Sequence, residues 1–297
     1  MSDSAPVSPD KPVEASGSGT PFGQDSPLSA ASAVPDYSAE ASPELAAAAG
    51  PAVTPDPFFI PPPELPTQLG PQGVRFDFND GARVWLPQGQ WHVEIHDAES
   101  GNIIFACDAD EGWVVSTKKY YVPFQIKIWE RGTPEALVDH VLDLKGKPVL
   151  IKFPVGTLGD LIGWFPYAEK FRKKHGCRLE CALGKKILEI FAEQYPEITL
   201  NVPQEVVTKE PYASYRVGLF FGGNTDHQPI DFRQVGLHRT AGHILGVDPA
   251  EEPPRLNLDL PRRITEPYVC IATKSSCQAK FWNNGHGWNL VIAHLKS

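Results

Sequence analysis

A strand, a glycine turn and a helix start in direct succession constrain the fold of this chain most strongly. The stretch covers residues 149–166 and reads VLIKFPVGTLGDLIGWFP. Units of this kind build parallel sheets, whose ligands bind outside the carboxyl ends of the strands. One acid, Asp160, stands where such a crevice would open. The stretch therefore predicts an α/β fold and a catalytic base in this turn.

Strand and helix patterns continue to alternate along the rest of the chain, which predicts a mainly parallel sheet. Four prolines between residues 247 and 264 exclude a continuous helix, so this segment is expected to link two α/β units. The second unit would start near residue 262, and it has room for one strand and one helix before Ser297, as in a truncated domain. The predicted strands are 149–155, 178–183, 197–202, 215–221 and 267–273, and the predicted helices are 160–175, 185–195, 235–245 and 286–296.

Two different kinds of sequence precede this alternation. Residues 1–70 hold 14 of the 30 prolines and nine acids against one lysine, so we expect a disordered acidic tail that carries most of the net charge of −9. Residues 71–145 contain short segments of alternating polarity separated by turn formers, which predicts a small β domain. The predicted domains are therefore 1–70, 71–145, 146–261 and 262–297.

Composition excludes several classes of protein. No basic patch interleaved with aromatic residues favours nucleic acid, and no apolar run is long enough for a membrane span. Five cysteines are an odd number and favour reduced thiols in a cytoplasmic protein. Cys177 and Cys181 resemble half of a metal site, but burial in a strand is the better interpretation because no second pair has matching spacing.

The turn before the predicted first helix combines residues suited to ligand binding. Gly156 and Gly159 let the backbone approach a ligand closely, and free N–H groups at a helix start receive anions or hydroxyl oxygens. Asp160 is placed to take a proton from an attacking hydroxyl. Thr157 and Asp160 also match a capping box, so a purely structural role for the acid is equally open.

A second polar loop follows the predicted strand at 267–273. Lys280 lies in it among hydroxyl and amide side chains, where an ammonium group would neutralise the charge on a departing diphosphate. From the residues alone, a solvated surface lysine is the more frequent case.

Four segments resemble the autotransporter strand-loop-strand O-heptosyltransferase family, bacterial protein glycosyltransferases related to lipopolysaccharide heptosyltransferases. They are FPVGTLGDLIGWFPYAEKF (153–171), YRVGLFFG (215–222), DFRQVGLHRTAGHILGVDP (231–249) and PYVCIATKSSCQAKFWNNGHGW (267–288). The resemblance implies a glycosyltransferase B-type fold, with two Rossmann-like halves after a small β domain. It also implies transfer of heptose from ADP-heptose to serine hydroxyls of an autotransporter passenger domain in the cytoplasm.

The resemblance assigns roles to particular residues. Asp160 matches the catalytic base, with Gly156, Thr157 and Gly159 as substrate-binding neighbours, and Lys280 matches the lysine that binds the donor's phosphates. His238 and Arg239 are weaker candidates.

Family members continue into an iron-binding cysteine cluster and assemble into a ring-like oligomer, and both are expected to depend on residues downstream of Ser297. We therefore expect no metal ligands in this chain. A non-catalytic acceptor-binding or assembly fragment is the alternative function, and another sugar-nucleotide enzyme of the same architecture is a third.

Overall fold

The computed structural model describes residues 60–222, 225–256, 261–275 and 278–297. Most of the predicted tail, residues 1–59, lies outside this part of the chain. Residues 60–70 belong to the fold, so the predicted tail boundary at residue 70 is too late. Arginine side chains explain the order there: Arg83 Nη1 donates to the Pro63 carbonyl at 2.9 Å, and Arg75 Nη1 donates to the Pro66 carbonyl at 3.2 Å.

The described residues form twelve strands and five α-helices. The strands are β1 (Gln68–Leu69), β2 (Arg75–Asn79), β3 (Arg83–Leu86), β4 (Trp91–Asp97), β5 (Ile103–Ala109), β6 (Gly112–Val115), β7 (Phe124–Glu130), β8 (Val138–Val141), β9 (Pro148–Lys152), β10 (Arg178–Ala182), β11 (Thr199–Asn201) and β12 (Ala213–Arg216). The helices are α1 (Leu158–His175), α2 (Lys185–Phe191), α3 (Phe232–Val235), α4 (Arg239–Leu245) and α5 (Gly287–Lys296).

Strands from both predicted folded regions share one sheet. Its order is β11-β10-β9-β12-β2-β3-β6, and β1 pairs with β2. The pairs from β11 to β2 are parallel, whereas β2, β3 and β6 pair antiparallel. The remaining strands form an antiparallel sheet in the order β5-β4-β7-β8. The β segments that precede residue 145 thus extend the parallel sheet through β12.

One core unites both sheets with helices α1, α2 and α4. Helix α1 contributes its buried face through Leu161, Phe165, Ala168 and Phe171, which recur at helical spacing. Phe165 stacks on Phe191 of α2, with ring centroids 4.4 Å apart. Helix α1 runs through Pro166, and it begins before this proline rather than after it. This packing fixes the start of α1 against the sheet.

The predicted strand at 149–155 ends at Lys152 and the predicted helix at 185–195 ends at Phe191, and three further predicted elements also differ from the structure. The predicted strand at 215–221 ends at Arg216, because its partner β9 ends at the paired residue Lys152. The predicted helix at 235–245 is divided by Gly236, whose φ of 97° is incompatible with a helix. The predicted strand at 267–273 is wrong: these residues form no regular structure, and Val269 is 66% exposed. An apolar run becomes a strand only when a neighbouring strand pairs with it, and none of the described strands does.

A buried ion pair holds the β2–β3 hairpin and the segment before it. Asp77 is fully buried and accepts hydrogen bonds from Arg83 Nε at 2.8 Å and Arg83 Nη2 at 2.7 Å. The same carboxylate accepts the Thr67 backbone N–H at 3.1 Å and the Asn79 amide at 2.7 Å. Every bond of this carboxylate therefore joins the hairpin to itself or to the chain that precedes it.

Removal of one partner leaves the other charge buried without compensation. We expect Asp77→Ala to lower the free energy of unfolding by about 3–5 kcal/mol, as is typical for a broken buried pair. Urea denaturation followed by circular dichroism measures this change. Asp110→Ala is the control, because its pair with Arg131 lies at the surface. Equal losses in the two variants would contradict a special role for Asp77.

His175 gives the fold a pH dependence. Burial, helped by the nearby Lys174 ammonium, lowers the pKa of His175 from 6.5 to about 4. The imidazole packs on Phe171 and Tyr121, and its Nε2 is buried without a hydrogen-bond partner in the described structure. The unfolded chain binds a proton at this site at higher pH than the folded chain does, so stability falls as the pH drops from 6.5 toward 4.

We expect His175→Phe to reduce this loss of stability on acidification. Thermal melting points measured at several pH values between 7 and 5 would show a shallower slope than in the wild type. His294→Phe, on the exposed side of α5, serves as the control. A slope that His175→Phe leaves unchanged would show that other groups cause the pH dependence.

Candidate active site

The turn between β9 and α1, together with the first turn of α1, holds four of the predicted site residues. Strand β9 ends at Lys152, and α1 begins at Leu158 with Thr157 as its N-cap. Asp160 lies in the first turn of the helix, where the helix dipole favours a negative charge. Gly156, Thr157, Gly159 and Asp160 therefore lie close together at the start of α1.

Hydrogen bonds hold the Asp160 carboxylate in place. Its Oδ2 accepts the Thr157 backbone N–H at 2.6 Å and the Thr157 hydroxyl at 2.8 Å. These contacts realise the capping interpretation of the sequence. Both bonds go to Oδ2, and no donor from the described residues occupies Oδ1. The acid therefore caps the helix with one oxygen and keeps the other available to a ligand.

The fold requires glycine at position 156 but not at position 159. Gly156 has a φ of 126°, and a Cβ at this position would lie 2.8 Å from the ring of Trp164. Gly159 has no atom within 4 Å of its hypothetical Cβ. The backbone thus requires a glycine at position 156 and leaves position 159 open, so Gly159 allows a ligand close access without being needed for the fold.

The turn lies at a switch point of the sheet. Chain order carries β10 and β11 to one side of β9, while β12 pairs on its other side. At such points the loops after neighbouring strands diverge and leave a crevice at their carboxyl ends. The loop after β12 approaches here, since a Cβ on Gly218 would lie 3.1 Å from Val155 Cγ2. The fold therefore places Asp160 where α/β proteins bind ligands.

A loop before α4 packs against the first half of α1. Trp164, which is fully buried, donates from Nε1 to the Leu237 carbonyl at 2.7 Å. The imidazole of His238 lies against Gly163, where a Cβ would be 2.3 Å from Cδ2. Gly163 and Trp164 were not predicted as site residues. The sequence did contain a signal for this contact. Gly163 lies inside a strongly helical segment, and a glycine in such a position often marks a close approach of another part of the chain.

An apolar cleft of about 720 Å³ opens beside the same turn, between the ends of β9 and β10. Aliphatic side chains from α1 and α2 form its floor, and two lysines stand at its rim. The lining residues are Gly156, Leu158, Leu161, Gly184, Lys185, Lys186, Ile187, Glu189 and Ile190.

Lys280 lies apart from this turn in the chain. It ends a single 3-10 turn at Gln278–Lys280 and is exposed. The cleft beside Gly156 is lined by residues 156–190 alone, without Lys280. The structure thus brings Gly156, Thr157, Gly159 and Asp160 together and leaves Lys280 in the separate segment that precedes α5.

The described cysteines do not form a metal site. Cys177 and Cys181 are buried at β10, as predicted, and burial raises the pKa of the Cys177 thiol to about 11. A protonated thiol is a poor metal ligand. Among residues 60–222, 225–256, 261–275 and 278–297, no group of three or more His, Cys, Asp or Glu side chains is placed to hold a metal ion. Cys277 lies outside the described residues.

No helix in the described part of the chain combines the length and the apolar character that a membrane crossing requires.

Known proteins resemble this chain in sequence and fold. The family described as glycosyltransferase TibC, N-terminal domain, matches residues 70–132. The autotransporter heptosyltransferases BAHTCr of Citrobacter rodentium and TibC of Escherichia coli O78:H11 are each 61% identical to the chain over 240 residues, or 81% of its length. Over these residues the chain belongs to the autotransporter heptosyltransferase family. It spans 59% of the length of both relatives.

Crystal structures of TibC extend the family match to the fold. An iron-containing, dodecameric TibC aligns with a TM-score of 0.78 at 60% identity, over 80% of this chain and 62% of TibC. TibC has also been crystallised with ADP-D-β-D-heptose. The predicted mixed α/β class with a small N-terminal β domain is confirmed by this match. A further family member, BimC of Burkholderia thailandensis, is 42% identical over 77% of this chain and 54% of BimC, and it is named an inactive heptosyltransferase.

Substitution of the two turn glycines should separate their roles. We expect Gly156→Ala to cost about 1–3 kcal/mol of stability, because alanine is strained at a φ of 126° and meets Trp164. Gly159→Ala lies within a helix with free space around it and should stabilise the fold by up to about 1 kcal/mol. Denaturant unfolding of both variants measures the difference. Similar effects at the two positions would argue against the strain described for Gly156.

Proposed function

We propose that this protein is a cytoplasmic O-heptosyltransferase that moves heptose from ADP-heptose to serine hydroxyls of an autotransporter passenger domain. The observation that carries the proposal is the Asp160 carboxylate at the switch point of a fold shared with TibC. TibC supports the choice of donor, since its structure has been determined with ADP-D-β-D-heptose. The names of the relatives support the acceptor.

The chemistry requires a base beside the attacking hydroxyl. In the proposed reaction, Asp160 takes the serine proton as the serine oxygen bonds to the anomeric carbon of the heptose, and the bond from that carbon to ADP breaks. Oδ1 is the oxygen available for this transfer, because Thr157 occupies Oδ2. The two bonds from Thr157 also hold the carboxylate in one orientation, which keeps the base in position for attack.

The donor's phosphates need positive charge or N–H groups as they leave. We assign this role to Lys280, whose ammonium group would neutralise charge on the departing ADP. Gly156 and Gly159 would allow the donor or acceptor to approach the backbone at the start of α1. Self-association is proposed on the basis of the dodecameric relative TibC.

A non-catalytic acceptor-binding role is the second candidate function. It is favoured by the inactive relative BimC and by the use of Asp160 as a helix cap, a contact that stabilises the fold without any reaction. This role predicts binding of the passenger domain without transfer of sugar.

Substitution of Asp160 by asparagine tests the proposal. Asparagine keeps an oxygen that can cap the helix, but it cannot accept the serine proton. We expect Asp160→Asn to lower the transfer rate by about 10²- to 10⁴-fold, the usual range for loss of a general base. The assay incubates the protein with ADP-heptose and a passenger fragment, and it follows the mass added to the fragment.

Asp231→Asn provides the matched control. Asp231 caps α3 by accepting the Arg233 N–H at 2.8 Å, so this change alters a capping acid outside the turn. Its transfer rate should equal that of the wild type. Equal rates in Asp160→Asn and wild type would show that Asp160 is not the base, and passenger binding without any transfer by the wild type would favour the non-catalytic role.

A further inference from the structure

The side chain of His238 occupies the same face of α1 as Asp160. Gly163 follows Asp160 by three residues, which places the two positions on one face of the helix about 4.5 Å apart along its axis. The imidazole fills the space that a side chain at position 163 would take: Cγ, Cδ2 and Nε2 are its three atoms nearest to the hypothetical Cβ, at 2.5, 2.3 and 2.4 Å. Nδ1 is therefore on the far side of the ring from the helix.

The loop that carries His238 is held firmly. Trp164 links it to α1 through the bond to the Leu237 carbonyl, and the ring of Trp164 also packs over Gly156. Gly236, with a φ of 97°, turns the chain just before this contact. A single buried indole thus fixes the distance between the turn of Asp160 and the loop of His238, and such rigid support is what a binding residue needs.

Packing alone does not account for a histidine at this position. Its ring nitrogens make no hydrogen bond to the described residues, and its side chain does not cap α4. The neighbouring Arg239 has a separate surface partner, since its Nε lies 3.3 Å from Glu251 Oε1. His238 therefore presents unused polar atoms beside the face of α1 that carries Asp160, and a partly exposed polar group in such a place is available to a ligand.

We propose that His238 is an acceptor-binding residue, which hydrogen-bonds the main chain of the acceptor polypeptide next to the serine that Asp160 deprotonates. The inference rests on the proposed function. An acceptor serine within hydrogen-bond reach of Asp160 Oδ1 brings its own peptide groups past the adjacent turn of α1. Peptide N–H and C=O groups match an imidazole, which offers one donor and one acceptor. The donor nucleotide is assigned to Lys280 instead, on a different segment.

Two variants remove this contact in independent ways. His238→Ala deletes the ring, whereas Gly163→Ala keeps the ring and pushes it away with one methyl group. We expect each to weaken binding of a fluorescently labelled passenger fragment about tenfold, as for loss of one hydrogen bond, with the affinity for ADP-heptose unchanged. The double variant should be no weaker than His238→Ala. His238→Asn, which keeps a donor and an acceptor, should recover part of the affinity.

Control variants separate binding from folding. Gly285→Ala adds a methyl group to a loop residue with free space around it, and His243→Gln removes another histidine, from α4 itself. Both should bind the fragment like the wild type. Melting temperatures of all variants show whether a change in affinity reflects loss of structure.

The outcomes distinguish the inference from the proposed function. Unchanged fragment affinity in folded His238→Ala and Gly163→Ala overturns the inference, even if the wild type transfers heptose. Equal weakening of fragment and ADP-heptose binding also overturns it, because that result indicates a structural role. A wild type that binds the fragment through His238 but transfers no heptose overturns the proposed function and leaves the binding role of His238 intact.

Discussion

The position of β12 between β9 and β2 is the constraint on which the rest of the structure depends. Through this strand the parallel part of the sheet joins the antiparallel strands that precede it, and both pack on one core. The same placement reverses the direction in which strands are added around β9, and this reversal opens the crevice at Asp160. One strand of four residues, Ala213–Arg216, therefore both joins the parallel and antiparallel parts of the sheet and sets the location of the candidate site.

A buried ion pair reinforces this junction. Lys152, the last residue of β9, is 4% exposed, and its Nζ lies 2.8 Å from both oxygens of Asp80 in the β2–β3 turn. It also donates to the Ile60 carbonyl at 3.3 Å. Burial lowers the pKa of Lys152, and the adjacent Asp80 carboxylate opposes that shift. Because a lysine buried in this way needs its partner, the pair stabilises one arrangement of the strand ends that support the site.

Local pattern predicted the elements around the site, and long-range contact decided the rest. Strand β9, helix α1 and strand β10 follow from apolar spacing and glycine position, which are properties of short segments. The pairing of β12 with β2 joins residues more than a hundred positions apart, and no periodicity reveals it. The contact of Gly163 with His238 is hidden for the same reason. The strand prediction for residues 267–273 was wrong because an apolar run is typical of a strand, whereas strand formation also requires a pairing strand from elsewhere in the chain. The role of Asp160 stayed open because the cap and the base require the same residue.

The use of Asp160 as a helix cap, beside its proposed role as the base, has an evolutionary consequence. Because this acid closes the first turn of α1, selection for folding alone would retain it. A lineage that lost transferase activity would therefore still keep the acid. The presence of this carboxylate in a related sequence is then a sign of an intact helix start before it is a sign of catalysis. Residues that contact only substrate have no part in folding, so they would be substituted first once the reaction is lost. Such residues are the better markers of an active enzyme.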